Sequence, residues 1–392
     1  MRPFLKYLKG DPVIWIITLL FLGISLVSVY SFVPILVRTE GGTPFSYLFK
    51  HFIYITLGLL AMFWVHRQDP KYIAKLAKFL FILAIALLIF TFFFGVKVNE
   101  AARWVRVPII GLTFQTSDFA KLALIIYISK LLVTKQAHFD SWKNGFWPIL
   151  LPVIIICGLI AKDNFSTAGI LFFISLLLMF IGRVPIMKII SFVGSGILLF
   201  GIFILIHIAI PALNLLPRFD TWVNRFFKAY GEGGETIENA QAINAELAIH
   251  SGGYFGVGVG DGKLKQYLPE AYADFYFSSF IEEFGLFFAL ILIFLYLVLF
   301  FRILRIGLNA EKLFETYVCI GIGLIILSQA LINMMVCTRI IPVTGQNMPF
   351  LAMGGSAMIM SCVSLGLVLS IARKKEKTEN KINSDKTVTN ES

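Results

Sequence analysis

Ten long apolar blocks constrain this chain more than any other feature. They read as membrane spans at about 13–37, 46–65, 72–95, 117–134, 146–162, 166–182, 186–211, 274–301, 314–337 and 356–373. Each is near the roughly 20 residues that cross a bilayer as a helix. The apolar residues come in continuous runs, not at the spacing of a half-buried helix. Composition agrees: 58% of the 392 residues are hydrophobic and only 15% are charged, against about a quarter in a soluble domain. The fold class expected is all-α, a polytopic integral membrane protein of about ten transmembrane helices. Residues 1–373 read as a single membrane domain, and the polar tail 374–392 as disordered. The first block is too long for the core of a cleavable leader and lacks a clear small-residue cleavage site, so it reads as the first span.

Charge placement sets orientation. The net charge is +11, but the basic residues sit between the apolar blocks and in the tail. That pattern marks topology and contact with anionic lipid heads, and argues against nucleic acid as a partner. An even number of spans puts both termini on one side. With that side cytoplasmic, 21 of the 34 Lys and Arg residues lie inside, which is the expected bias. The exterior then holds two long segments, 96–116 and a loop of about 212–273 between the seventh and eighth spans. A loop of that length usually has work to do. Within it, Gln241–His250 is expected to form an amphipathic helix beside the membrane. Cys157, Cys319, Cys337 and Cys362 lie in or beside apolar blocks without C-x-x-C spacing, and read as small buried side chains.

The unusual polar residues gather on that exterior face. Arg103, Trp104 and Arg106 stand just outside a span; they suit an interfacial anchor, or a clamp on a phosphate. Asp118 and Lys121 enter the span at i,i+3 spacing, close enough to pair. Lys162, Asn164, Ser166 and Thr167 form a tight turn whose side chains can cap the next helix. Six glycines between Gly252 and Gly262 precede Lys263 and Lys265. No strand leads into them, so a dinucleotide fold does not fit. Such backbone can form an anion-binding nest beside the two lysines, or a flexible tip.

Four carboxylates follow in very apolar sequence: Glu270, Asp274, Glu282 and Glu283. A carboxylate at membrane depth needs a partner or a task. Asp274 reads as the opening of a span, with Ser278 and Glu282 at i+4 and i+8 on the same face. It suits a helix cap, or a general base for a sugar hydroxyl. Glu282 and Glu283 sit deeper, where a buried Lys such as Lys121 would pair with them. Beyond Asn333, Pro342, Pro349 and the Gly-Gly-Ser ending at Ser356 suggest irregular backbone buried at membrane depth, where Asn333 can donate hydrogen bonds.

Taken together, these motifs resemble the SEDS family (shape, elongation, division and sporulation), which includes FtsW, RodA and SpoVE. The likeness covers nearly the whole chain. RWVRVPIIGLTFQTSDFAKLAL at 103–124 is similar to the family's R-W-I…F-Q-P-S-E-x-A-K segment. GGYFGVGVGDGKLKQYLPEAYADFYFSSFIEEFGL at 252–286 is similar to its glycine-rich, LPE and HTD block. GQNMPFLAMGGSA at 345–357 is similar to its LPF and GGSS segment. Tyr272-Ala273-Asp274 stands where the family has His-Thr-Asp, Asn164 and Asp118 replace Asp and Glu, Thr116 replaces Pro, and Ala352 replaces Ser. The pattern leans toward FtsW over RodA.

The resemblance implies a peptidoglycan glycosyltransferase of the cytoplasmic (inner) membrane, polymerising lipid II in cell division or elongation and releasing undecaprenyl pyrophosphate. Asp274 falls at the family's catalytic carboxylate. Arg103, Trp104, Arg106, Lys263, Lys265, Glu270, Asn333 and Ser356 become candidates for binding substrate, and Lys121 is expected to pair with Asp118 or Glu282 as a structural ion pair. A divalent cation, Mg or Mn, could share the handling of charge, though no ligand cluster marks a metal site. Implied partners are membrane lipids, a class B penicillin-binding protein whose single membrane helix packs near spans eight and nine, and other divisome or elongasome membrane proteins. Two other readings suit parts of the pattern: a lipid II flippase, and a non-catalytic scaffold of the division machinery.

Overall fold

Three of the first helices begin the same way, with a capping side chain followed by proline. Asp11 accepts from the Val13 and Ile14 amides at 2.9 and 3.3 Å and starts α1, Pro12–Glu40. Thr43 caps α2, Pro44–Arg67, and Asp69 caps α3, Pro70–Phe94. Proline costs nothing there because the first amides of a helix lack acceptors anyway. The structure is a computed structural model that describes residues 9–98, 101–106, 113–209, 237–268 and 271–390.

The remaining helices are α4 (Thr116–Thr134), α5 (Trp147–Ala161), α6 (Phe165–Ile181), α7 (Ile186–Ala209), α8 (Ile237–Gly252), α9 (Tyr276–Leu308), α10 (Leu313–Cys337) and α11 (Gly355–Asn390). Every expected span falls on one of them, and α8 is the helix expected in the long exterior loop. Among the described residues, eight helices are long and apolar enough to cross a membrane. The two below that mark are explained by their surroundings. α4 carries Asp118, Lys121 and Lys130, and α6 has 17 residues. Both are packed inside the bundle, where neighbouring helices and not lipid surround much of their surface.

Three findings differ from expectation. Residues 96–115 include a three-stranded antiparallel sheet of β1 (Val96–Val98), β2 (Ala101–Arg106) and β3 (Thr113–Gln115). Its short strands lack the length for a clear alternating pattern. Next, α11 continues to Asn390, well past its apolar part. The tail expected to be disordered from 374 begins with Lys and Glu, which favour helix once a turn already exists to extend. Finally, α9 starts at Tyr276 and not at Asp274, and runs to Leu308.

The buried apolar residues divide into two groups. One unites α1, α9, α10 and α11, and the other α3, α4, α5 and α6. Close approach of α2 to α11 depends on small residues. A Cβ on Gly355 would lie 2.1 Å from the Tyr54 ring, and one on Gly366 would lie 2.7 Å from the Met62 carbonyl oxygen. α7 joins the second group at its start, through Ile189 and Phe192, while none of its most apolar stretch is buried against the rest.

Candidate functional site

Where the two packed groups meet, near one end of the bundle, lies a cavity of about 470 Å³. That end gathers the sheet, the glycine-rich segment, residues 271–275 and the segment between α10 and α11. Asp118 and Lys121 of α4, Gln329 of α10, and Ser361 and Ser364 of α11 line this cavity. Trp104, Tyr272 and Asp274 also line the cavity.

Asp274 lies in a turn before α9, and its main chain is held firmly. The Asn333 side-chain amide donates to the carbonyls of Ala273 (3.2 Å), Asp274 (2.9 Å) and Gln346 (2.9 Å), while its oxygen accepts from the Phe277 amide at 3.3 Å. The Met353 amide adds a bond of 3.0 Å to the Tyr272 carbonyl. Asn333 is fully buried. Its role is therefore to join two irregular segments, and it does not face the cavity as a substrate contact. The expected shared face of Asp274, Ser278 and Glu282 does not form. Because Asp274 precedes the helix, Ser278 instead turns back to the Phe275 carbonyl at 2.8 Å.

The Asp118–Lys121 pair is present at 2.7 Å, with both side chains largely buried. Ser356, at the start of α11, accepts from the Gln115 amide at 3.0 Å and donates to Asp118 at 3.4 Å. Ser356 is buried and braces this pair; it is not among the residues lining the cavity. The cavity's polar rim also includes Gln346, whose amide donates to the Thr167 hydroxyl. Asn164 caps α6 by accepting from the Thr167 amide at 2.9 Å, as the turn residues suggested.

The glycine-rich segment is not a loose tip, and the anions its backbone meets are the protein's own: the Gly260 amide donates to the Glu283 carboxylate at 3.3 Å. Gly285 breaks α9 with φ +83° and ψ 170°, exposing backbone groups on both sides of the break. The segment docks there. Val257 and Gly258 amides donate to the Glu282 and Glu283 carbonyls at 2.9 and 3.1 Å, and the Leu286 and Phe287 amides donate to Gly253 and Tyr254 at 2.9 and 3.1 Å. A Cβ on Gly252 or Gly256 would sit 2.1 Å from the Ile281 or Glu283 carbonyl oxygen. Glycine is required because two backbones touch.

The adjacent lysines are consequently not placed as expected. Lys265 is buried and pairs with Glu283, and it donates to the Ser31 carbonyl of α1 at 3.1 Å. Ser31 also donates to Glu283. Glu282 does not reach Lys121; it accepts from the Leu264 and Lys265 amides at 2.8 and 3.3 Å. Lys263 is exposed and does not line the cavity. Arg103 and Arg106 are placed by backbone in β2 beside Trp104, but their side chains lie outside the described part, as does Glu270. Gln115, Gln329, Gln346 and Asn347 were missed by the sequence reading. Neutral amides in apolar helices or loops give no charge signal, and only the packing brings them together.

Among the described residues, no group of three or more His, Cys, Asp or Glu side chains converges to hold a metal ion. Asp118 is engaged by Lys121 and Ser356. The described residues alone do not form a cation cage.

The fold and cavity define a polytopic membrane protein with a polar, carboxylate-containing chamber at one end. Its sequence matches the family model for the FtsW/RodA/SpoVE cell cycle proteins over residues 11–377, and the chain belongs to that family. It is 32% identical over 374 residues to the probable peptidoglycan glycosyltransferase FtsW of Coxiella burnetii, covering 93% of this chain and 97% of that one. It is 30% identical to the stage V sporulation protein E of Bacillus subtilis, covering 94% and 98%. Among solved structures, a chain of a peptidoglycan synthase complex matches with a TM-score of 0.74 at 22% identity, covering 93% of this chain and 98% of that one. The rod shape determining protein RodA of Thermus thermophilus matches with 0.64 at 23%, covering 93% and 97%. These two likenesses establish the fold.

Proposed function

We infer that this protein is a peptidoglycan glycosyltransferase that polymerises lipid II into glycan strands on the outer face of the cytoplasmic membrane. The observation that carries this reading is Asp274: the residue lines the cavity while Asn333 and Met353 anchor the surrounding main chain. A base held in place can take a proton from a hydroxyl without first being ordered.

The reaction follows from that position. The Asp274 carboxylate removes the proton from the 4-hydroxyl of an incoming lipid II. The freed oxygen forms the new bond to the anomeric carbon of the growing chain. The bond from that carbon to undecaprenyl pyrophosphate breaks, and the leaving group departs with the electron pair. Both termini lie in the cytoplasm on this reading, consistent with the excess of Lys and Arg on their side.

A flippase would need a route between both faces. At the end opposite the cavity, ion pairs tie the bundle together. Arg302 binds Asp11, with its Nε at 2.9 Å, while Lys374 meets Glu311 and Glu315 at 3.2 and 2.8 Å. Arg373 donates to the Arg67 carbonyl at 2.6 Å. This arrangement favours the enzyme.

A class B penicillin-binding protein would supply cross-linking. The exposed stripe Phe287, Leu290, Phe294, Leu297 and Phe301 on α9 supports docking of its membrane helix there. The test is simple: protein purified in detergent with that monofunctional partner, given lipid II alone, should make polymer. A transporter would make none, because micelles have no sides to move substrate between.

A further inference from the structure

Among the described residues that line the cavity, none belongs to α1, yet α1 holds the segments around it. Ser25, Ser28 and Ser31 stand three residues apart on α1, and all are buried. Such a row forms a ridge inclined to the helix axis, so each serine meets a different neighbour. Ser25 donates to the Leu351 carbonyl, in the segment before α11, at 2.8 Å. Its oxygen lies 2.9 Å from Nε2 of the buried His51 on α2. With the hydroxyl proton spent on Leu351, that ring nitrogen is the donor. Ser28 shares a hydrogen bond of 2.6 Å with the Tyr276 hydroxyl at the start of α9. Ser31 donates to Glu283, just before the break at Gly285. A hydroxyl on a helix commonly bonds back to its own backbone, as Thr18 of α1 does to the Ile14 carbonyl at 2.7 Å. The three serines bond outward instead.

The middle contact bears on Asp274. Tyr276 follows it by two positions and is fully buried, with its ring beside those of Phe32 and Phe280. Asn333 of α10 already grips this stretch through main chain, at the Asp274 carbonyl and the Phe277 amide. The phenol adds a second grip from α1. A tyrosine ring is a long rigid arm, so a hydrogen bond at its tip resists rotation of the first turn of α9. Rotation of that turn would swing the Asp274 carboxylate. A buried hydroxyl left without a partner is costly, which makes the pair hard to break.

We propose that Ser28 and Tyr276 are positioning residues for the reaction, a hydroxyl pair through which α1 sets the direction of the Asp274 carboxylate. The proposal rests on the glycosyltransferase reading and adds a helix that the cavity itself does not reveal. Neither residue lines the cavity, so both act through Asp274 and not on the substrate.

The experiment compares the wild type with Tyr276→Phe, purified in detergent with the partner and given lipid II. Phenylalanine keeps the ring, and Ser28 can then turn to a carbonyl of its own helix. The unfolding midpoint should therefore change by a few degrees at most. At equal amounts of folded protein, kcat should fall about tenfold, less than the roughly hundredfold that a 1 Å misplacement can cost, with KM within about twofold. The same substitution made in Asp274→Asn should lower the residual rate by less than about twofold, because the group it positions is already gone. A merely structural role would lower both rates by the same factor. Should Tyr276→Phe fail to fold, the pair Ser28→Ala with Tyr276→Phe removes both hydroxyls, leaves no buried hydroxyl of the pair unpartnered, and carries the same comparison. A wild-type kcat in the folded variant, a rise in KM alone, or an equal loss in the Asp274→Asn background would each overturn the proposal. A wild-type rate in Asp274→Asn by itself would instead overturn the glycosyltransferase reading beneath it.

Discussion

Asp274 is placed by its neighbours' backbone contacts, and those contacts predict what distant substitutions do. Replacing Asn333 by Leu leaves the carbonyls of Ala273, Asp274 and Gln346 without that donor in the interior. The expected loss is about 1–3 kcal/mol of stability, read as a lower unfolding midpoint in detergent, with a fall in polymerisation at matched folded protein. Lys265 offers a sharper case. Lys265→Met strands the buried Glu283 carboxylate and should cost about 3–5 kcal/mol, whereas Lys265→Met with Glu283→Leu should recover much of it. A lysine that served only to bind substrate would instead lose activity with unchanged stability, and the second substitution would restore nothing. At this scale the sequence is informative about type and poor about direction. The i,i+3 spacing of Asp118 and Lys121 revealed their pair because both lie on one helix. Lys265 read as a phosphate ligand because its partners, Ser31 and Glu283, are 234 and 18 positions away.

The element that shapes the site most is α9, broken at Gly285 and patched by the glycine-rich segment. A side chain at Gly256 would combine a positive φ of 80° with a Cβ 2.1 Å from the Glu283 carbonyl oxygen. Gly256→Ala should therefore lower the unfolding midpoint by several degrees or prevent folding. Gly260→Ala meets no atom within 4 Å and should pay only the strain of its φ of 91°; equal damage from the two would contradict the docking described. The glycines themselves were plain in the sequence, but their purpose was not. A run of glycine permits both loose backbone and very close approach, and only the break in α9 chooses between them. The small sheet was hidden for a related reason: strands of three to six residues carry too little periodicity.

Across the whole molecule, the apolar blocks revealed ten helices because the bilayer requires long uninterrupted segments. The cavity was less legible, since it is formed by residues from α4, α6, α10, α11, the sheet and two loops. The polar end and the end closed by Asp11–Arg302 and Lys374–Glu315 give the molecule a sidedness that can be checked. Cysteine-reactive, membrane-impermeant reagents applied to intact cells should label a cysteine introduced at Lys263 and spare one introduced at Lys71. The reverse would invert the topology. The most direct measurement of the central claim is the rate of glycan formation from lipid II by purified Asp274→Asn with its partner, at equal amounts of folded protein. The account predicts a loss of about a hundredfold or more, the usual worth of a general base; polymer made at the wild-type rate would contradict it.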